Sequence, residues 1–276
     1  MNCYGGDARR RVIQSAIACV IVISVNSWFV SCTSGGTGSR QPAQEKITGE
    51  IPEIDTSKVL GTLELYRAKR YESVEEGLRN GIDHIFKLVL YGQKLGTLSP
   101  AVGQFTYLAS LDVSYNGLNE LPPEISGLHY LQGFYAKGNN LTQFPEQILL
   151  LPVLYRVDLS ENRITRIPPG IRIMNQLTRL SMDRNALTSI PVELYELGNL
   201  SVLELAENRL GGIPEGISGL IQLKKLDLSG NQLSHLPREL TALAGSLEEL
   251  DVQGNRIPAE EIQWFVESMP ETRIRY

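Results

Sequence analysis

The segment LYRVDLSENRI, residues 154–164, contains a pattern of apolar residues and one Asn that recurs on both sides of it. Written L-x-x-L-x-L-x-x-N-x-L, with other apolar residues allowed at the L positions, the pattern returns every 23 residues. The copies begin at Ile85, Leu108, Leu131, Leu154, Leu177, Leu200 and Leu223, and an eighth begins at Leu247, one residue later than the interval predicts. Eight registered copies between residues 85 and 257 predict a fold made by stacking one repeated unit.

Each copy is predicted to contribute one short strand. After Leu154, the apolar residues Val157 and Leu159 alternate with polar ones, as in a strand with one buried face. The Asn stands where the chain turns, and its amide can bond backbone groups of its own copy and of the adjacent copy. Because buried amides must find such partners, we interpret the Asn column as structural. It comprises Asn116, Asn139, Asn162, Asn185, Asn208, Asn231 and Asn255, with Gln93 at the equivalent position of the first copy.

The second half of six copies contains an apolar residue followed by Pro. These prolines are Pro122, Pro145, Pro168, Pro191, Pro214 and Pro237. Proline locks φ and lacks an N–H donor, which favours an irregular or short-helical return segment over a second sheet. One copy alone buries too few side chains to fold, so the copies must stack and both ends of the array need a covering segment.

These features resemble the leucine-rich repeat family. The resemblance implies an α/β repeat fold, a curved solenoid with a parallel sheet on its concave side. Short helical or irregular segments are implied on the convex side, with a helical cap at each end. We assign residues 54–84 to the N-terminal cap, residues 85–257 to the eight repeats and residues 258–276 to the C-terminal cap.

The two caps are predicted from helix start and stop signals. Ser73 and Glu76 have the spacing of a capping box before a short helix that Gly81 ends. Its predicted inner face comprises Val74, Leu78 and Ile82. Residues 258–269 have the apolar spacing of a second helix, and Ile274 and Tyr276 then alternate with Arg as an edge strand. Trp264 lies off the apolar face of that helix, which leaves open a packing role or a partner contact.

The first 31 residues have the composition of a signal peptide. Three Arg at 9–11 precede an apolar run over residues 12–25. The run is followed by FVSC, residues 29–32, which resembles a bacterial lipobox. The resemblance implies lipidation of Cys32 and anchoring to a bacterial membrane, with residues 32–53 as a Gly/Ser-rich tether. The alternatives are an ordinary cleaved signal and an uncleaved signal anchor.

Cysteine content and charge limit the function classes. Cys3 and Cys19 would be removed with the signal peptide, which leaves Cys32 alone and no internal disulfide. The net charge is −5, and removing residues 1–31 takes away three Arg and one Asp, a charge of +2, leaving −7. An acidic chain without a basic stripe argues against nucleic-acid binding. The scattered residues His84, His129 and His235 match no catalytic or metal motif, so we predict no enzyme, cofactor or metal site.

We therefore predict a membrane-anchored module that binds a protein partner on its concave face, with adhesion or host interaction as its setting. The alternative is a structural lipoprotein that organises the cell envelope without a diffusible ligand. Tyr and Arg dominate interface energetics, although Tyr also favours strands for its own sake. The candidate partner-binding residues are Phe86, Tyr91, Tyr115, Tyr135, Tyr155, Arg156, Arg179 and Arg184.

A second surface is predicted on the convex side. Apolar residues occupy usually polar positions of successive return segments at Leu149, Leu150, Ile173 and Tyr195. Stacking would make them neighbours, which predicts an apolar strip for weak self-association. The alternative is additional packing within each copy.

Overall fold

The structure is a computed structural model that describes residues 51–276. These residues form one parallel sheet of ten strands, ordered in the sheet as in the chain. The strands are β1 (Arg70–Tyr71), β2 (Lys87–Val89), β3 (Ser110–Asp112), β4 (Gly133–Tyr135), β5 (Arg156–Asp158), β6 (Arg179–Ser181), β7 (Val202–Glu204), β8 (Lys225–Asp227), β9 (Glu249–Asp251) and β10 (Arg273–Arg275). The predicted α/β solenoid with a parallel sheet is confirmed. The predicted signal peptide and Cys32 lie outside the described residues, as does all but the end of the predicted tether.

The sheet has two more strands than the eight repeats supply. β1 pairs with β2 through Tyr71 and Leu88, and β10 pairs with β9 through Ile274 and Leu250. Neither added strand carries the repeat pattern, so periodicity alone does not reveal β1. Each extends the parallel register by one strand at an end of the array.

The return segments contain short 3-10 helices, most of which begin directly after a proline. Their bounds are Pro100–Gln104, Pro123–Gly127, Glu146–Ile148, Pro169–Ile173, Val192–Glu196, Ile217–Gly219 and Arg238–Leu243. Two more, Thr56–Lys58 and Ile82–His84, precede the array. A fixed φ at the proline and a missing donor are compatible with the first turn of a helix.

The core is a set of columns that run across the strands. The second residue of each strand from β2 to β9 is buried against the return segments. These residues are Leu88, Leu111, Phe134, Val157, Leu180, Leu203, Leu226 and Leu250. Each lies opposite its equivalent in the next strand. The apolar surface of one copy is therefore removed from water by its neighbours.

The Asn column links each copy to the one before it. In the fourth copy, Asn162 Nδ2 donates to the carbonyl oxygens of Ala136 and Leu159, both at 2.9 Å. Its Oδ1 accepts the N–H of Leu141 at 3.0 Å. The other six Asn make the equivalent contacts. These amides satisfy buried backbone groups at each turn.

Four strands end at an Asp whose side chain accepts a backbone hydrogen bond. The Oδ1 atoms of Asp112, Asp158, Asp227 and Asp251 accept the N–H two residues later, at 2.9 to 3.1 Å. This contact fixes the turn that follows the strand. These carboxylates therefore have a structural role, although they lie on the solvent side of the sheet.

Two helices precede the repeats, α1 (Thr62–Arg67) and α2 (Val74–Asn80). The predicted start of α2 is confirmed, because Ser73 Oγ accepts the N–H of Glu76 at 3.0 Å. Its predicted inner face is wrong in part. Val74 is buried, but Leu78 and Ile82 remain more than a third exposed. The second buried position is Gly77, where a Cβ would lie 2.7 Å from the ring of Phe105.

The third helix, α3 (Ala259–Ser268), follows the last repeat. It buries Ile262 and Phe265, and Met269 just after it is also buried. Trp264 is partly buried against the core, where it packs edge-on against Phe265 at 4.9 Å. Arg238 covers the Trp264 ring at 4.4 Å, so this Trp packs within the molecule.

The apolar strip predicted for self-association is occupied by internal packing. Leu149 and Tyr195 are buried, and Ile173 packs against the core. Leu150 is half-buried. Close contact of Tyr195 with Gly219 of the next return segment explains its burial, since a Cβ at Gly219 would lie 2.4 Å from the Tyr195 carbonyl oxygen. Packing within the array, the alternative interpretation, describes these residues.

Candidate ligand-binding face

The first and third residues of each strand point away from the core, because the second is buried and side chains alternate. We call this surface the open face. Its first-residue column is rich in basic side chains: Lys87, Arg156, Arg179, Lys225 and Arg273. Its third-residue column is rich in acidic side chains: Asp112, Asp158, Glu204, Asp227 and Asp251. The open face therefore carries two parallel rows of opposite charge.

A third row borders the open face where the strands turn. The residue directly before each Asn of the column, or before Gln93, has a positive φ in all eight copies. These residues are Gly92, Tyr115, Gly138, Glu161, Arg184, Glu207, Gly230 and Gly254. Glycine adopts this conformation without strain, whereas another residue loses about 1–2 kcal/mol there. We call the four non-glycine members, Tyr115, Glu161, Arg184 and Glu207, the left-handed row. Their φ values lie between 52° and 57°.

Tyr115 spans an entire copy to reach the next member of this row. Its hydroxyl donates to Glu161 Oε2 at 3.0 Å, and its ring passes over Gly138. A Cβ at Gly138 would lie 2.4 Å from the Tyr115 ring, so only glycine fits between them. On the other side, Tyr91 packs against Tyr115 with 5.2 Å between ring centroids.

Ion pairs continue the row beyond Tyr115. Glu161 Oε1 lies 3.2 Å from Lys137 Nζ and 3.5 Å from Arg184 Nη1. Burial acts to raise the pKa of Glu161, but the hydrogen bonds from Tyr115 and Lys137 and the nearby cations outweigh it and lower that pKa. Arg184 also lies 2.9 Å from Glu207 Oε1. The row is thus one chain of contacts from Tyr91 to Glu207.

A second tyrosine lies over a glycine within β4. A Cβ at Gly133 would lie 3.1 Å from the ring and the hydroxyl of Tyr135, so this ring covers the position of the missing side chain. Burial raises the pKa of Tyr135, and the neighbouring Arg156 acts in the opposite direction. Arg156 in turn lies 5.5 Å from the centroid of Tyr155. Tyr135 and Arg156 thus lie together on the open face, and Tyr155 lies against Arg156 just before β5.

A shallow cavity of about 240 Å³ lies beside the open face, just after the ends of β4 to β7. It is lined by Lys137, Ser160, Glu161, Asp183, Arg184, Ala206 and Glu207. Burial, together with the nearby carboxylates of Glu204, Asp227 and Asp158, raises the pKa of Asp183 to about 6. The hydrogen bond from the N–H of Ala206, at 2.8 Å, acts against this shift.

Asp183 accepts the N–H of Ala206 because β7 ends in Glu204 instead of Asp. In the strands that end in Asp, the N–H two residues later bonds within its own copy. Glu204 instead turns to Lys225 at 2.8 Å, to Arg179 at 3.5 Å and to the hydroxyl of Ser181 at 2.6 Å. The Ala206 N–H therefore takes its acceptor, Asp183, from the preceding copy.

The structure brings together six of the eight candidate partner-binding residues on or beside the open face: Tyr91, Tyr115, Tyr135, Arg156, Arg179 and Arg184. Phe86 and Tyr155 directly precede β2 and β5, so they lie where those strands begin, outside the open face. The sequence alone did not point to Gly133, which lies under Tyr135, or to Gly138 and Glu161, which contact Tyr115. Glycine at one repeat position in four of eight copies was the available signal.

A second cavity, about 510 Å³, lies between the last return segment and α3, and it is lined by His235, Leu236, Arg238, Glu260, Glu261, Trp264 and Phe265. Glu261 is committed to structure there, because its Oε1 accepts the N–H of Leu236 at 2.7 Å. Within residues 51–276, no group of three or more His, Cys, Asp or Glu has a metal-binding arrangement. None of the helices in that range has the length and apolar character needed to cross a membrane.

Family models agree with the repeat register. A leucine rich repeat model matches residues 152–210 and 198–257, and a second leucine rich repeat model matches residues 107–128. No curated protein matches this chain.

Solved structures with a similar fold come from plants and from a bacterium. The ectodomain of the receptor kinase GASSHO1/SCHENGEN3 from Arabidopsis thaliana, in complex with CASPARIAN STRIP INTEGRITY FACTOR 2, is 29% identical with a TM-score of 0.56. The match covers 64% of this chain and 22% of that one. The plant peptide hormone receptor RGFR1 in complex with RGF2 is 24% identical with a TM-score of 0.58, over 74% of this chain and 37% of that one.

An internalin from Listeria monocytogenes is 22% identical with a TM-score of 0.56, over 65% of this chain and 50% of that one. The present chain thus spans between about a fifth and a half of the length of these structures. The 23-residue period, the ten-stranded parallel sheet, the Asn column and the matching family models lead to one conclusion: the chain belongs to the leucine-rich repeat family.

Proposed function

We propose that this protein is an exported, membrane-anchored module that holds a protein partner on its open face. The left-handed row carries this proposal. Four copies keep a non-glycine residue in a conformation that costs about 1–2 kcal/mol each, although glycine serves at the same position in the other four. Strain of this kind persists where the side chain has a use.

The chemistry of the row is suited to recognising a protein surface. Tyr115 and Arg184 are of the residue types that dominate interface energetics, and both are already ordered by Glu161. Because their side chains are held in place before binding, less conformational entropy is lost when a partner arrives. The Arabidopsis ectodomain, which is similar in sequence and fold, was solved in complex with CASPARIAN STRIP INTEGRITY FACTOR 2, and this supports a protein or peptide partner here.

Membrane anchoring rests on the sequence of residues 1–32. A basic stretch, an apolar run and Cys32 stand in the order expected of a lipoprotein precursor. Mass spectrometry of the mature N-terminus tests this part of the proposal. We expect a chain that begins at Cys32 and carries several acyl groups, since a single chain anchors only marginally. An unmodified Cys32, or a chain that still begins at Met1, would contradict it.

The binding part is tested by capture of partners from membrane and host-cell extracts on the immobilised protein. Tyr115→Gly and Arg184→Gly each remove a side chain and the strain of its backbone together, so we expect folding to be preserved. We expect each to weaken binding of the captured partner by about 1–3 kcal/mol. Val192→Ser and Ile221→Ser, at exposed apolar positions away from the strands, are the matched controls and should leave binding unchanged. Equal losses in all four variants would show that the open face is not the site.

A further inference from the structure

Helix α1, Thr62–Arg67, is exposed to an unusual degree. A helix of six residues is not stable in water by itself and needs contacts with other groups. Within residues 51–276, however, none of its side chains is buried. Leu63 is 59% exposed and Tyr66 is 81% exposed, and their i, i+3 spacing places them on one face. This face has the character of a contact surface.

The segment before α1 is fixed to the side of the repeat array. Lys58 Nζ donates to the hydroxyl of Tyr107 at 2.7 Å, and the N–H of Asp55 donates to the hydroxyl of Tyr130 at 3.2 Å. The two tyrosine rings pack against each other at 5.2 Å. Consequently α1 follows a segment that is held to the array, and the exposure of Leu63 and Tyr66 is a built feature of the N-terminal cap.

Basic residues follow the exposed pair in the chain. Arg67, Lys69 and Arg70 follow within four residues of Tyr66, and all are exposed. Lys69 and Arg70 form ion pairs with Glu76 at 3.7 Å and with Glu72 at 3.2 Å. The one acidic residue of the helix, Glu64, is turned back to the helix start, where Oε2 accepts the N–H of Gly61 at 2.8 Å. The face therefore combines Leu and Tyr with Arg67, the one of these three basic residues that forms no ion pair within residues 51–276.

We propose that Leu63 and Tyr66 dock this cap onto an anionic lipid surface, and this inference rests on the membrane anchoring proposed above. Tyr favours the boundary between headgroups and acyl chains, because its ring is apolar and its hydroxyl is polar. Arg67, the residue after Tyr66, is attracted by anionic headgroups. Cys32 precedes Thr62 by 30 residues, so an anchor at Cys32 holds α1 near the membrane.

Fluorescence of the mature, lipid-anchored protein on vesicles of phosphatidylcholine and phosphatidylglycerol tests the contact. The reporter is Tyr66→Trp, and the matched control is Ile221→Trp, a position that is 66% exposed in a distant return segment. The emission of the parent, from Trp264, is subtracted. With lipids brominated in the upper acyl chain, we expect the reporter at 66 to lose about half of its emission, because interfacial helices bury their apolar face at that depth. The control reporter should lose none, and Leu63→Ser added to the 66 reporter should reduce the quenching.

Each other outcome overturns a defined part of the proposal. Protein that does not float with the vesicles removes the membrane anchoring, and this inference with it. Protein that floats but shows no quenching at 66 removes the lipid contact alone and leaves the anchoring in place. Protection of the 66 reporter without lipid assigns the face to another occupant. If that protection depends on protein concentration, the occupant is a second copy, and otherwise it is the N-terminal part of the same chain.

Discussion

Replacing Glu207 by Gly and, separately, by Ala measures the strain of the left-handed row directly. Both variants lose the same contact, the ion pair with Arg184 at 2.9 Å, whose two side chains are more than half exposed. Such a pair contributes at most about 1 kcal/mol. The φ of Glu207 is 52°, so Ala keeps the strain whereas Gly removes it. Relief of about 1–2 kcal/mol exceeds the entropy that Gly loses on folding, about 0.5–1 kcal/mol.

We therefore expect Glu207→Gly to be more stable than Glu207→Ala by about 1 kcal/mol. The neighbouring position is the control, because Ala206 does not have a positive φ, and Ala206→Gly should lower stability by about 0.5–1 kcal/mol. Urea unfolding followed by circular dichroism gives the midpoints of all four proteins. If Gly is the less stable residue at 207, as it is at 206, the row carries no strain and the main support for the open face as a binding site is lost.

Three further predictions concern other parts of the same surface. The pKa of Asp183 is raised to about 6 from 3.8, so the folded state gains stability as pH falls from about 6 to 4. Asp183→Asn should therefore stabilise the protein by about 1 kcal/mol at pH 7, after allowance for partial exposure, and should have no such effect at pH 3.5. Urea unfolding at each pH measures the difference. Gly138→Ala should lower the free energy of unfolding by at least about 1 kcal/mol more than Gly117→Ala. Both glycines have φ near 70°, but an added Cβ would lie 2.4 Å from the Tyr115 ring at Gly138 and 3.7 Å from the nearest atom at Gly117. Equal losses would contradict the close approach of the Tyr115 ring. Asp227→Ala should cost about 1 kcal/mol in stability, because Ser229 loses its acceptor, while partner binding stays within twofold; a large loss of binding would extend the site to the later copies.

The repeat pattern predicted the strands and the Asn contacts because both depend on spacing along the chain. A side chain at a given repeat position meets its equivalents in the neighbouring copies, as Val157 and Leu180 do, whatever the rest of the surface carries. Strands β1 and β10 lie outside the period. The alternation of Ile274 and Tyr276 with Arg pointed to β10, whereas no such signal marked β1.

The candidate site was predicted less well, because it depends on the space that a glycine leaves for a side chain from another copy. Tyr115 was identified as an exposed aromatic, but its path over Gly138 to Glu161 joins three different copies. The convex strip was misassigned for a related reason. Tyr195 occupies a usually polar position, and Gly219 in the next copy gives it room to be buried.

The parallel register of the sheet sets a length scale for whatever lies across it. Adjacent strands are about 4.8 Å apart, so Tyr115 and Glu161, which are two copies apart, represent a step of about 9.6 Å. An extended peptide advances about 3.1–3.3 Å per residue, and three of its residues cover nearly the same distance. A peptide running across the strands would therefore present every third side chain to every second copy. The spacing of the array thus selects partners by the period of their sequence as well as by their composition.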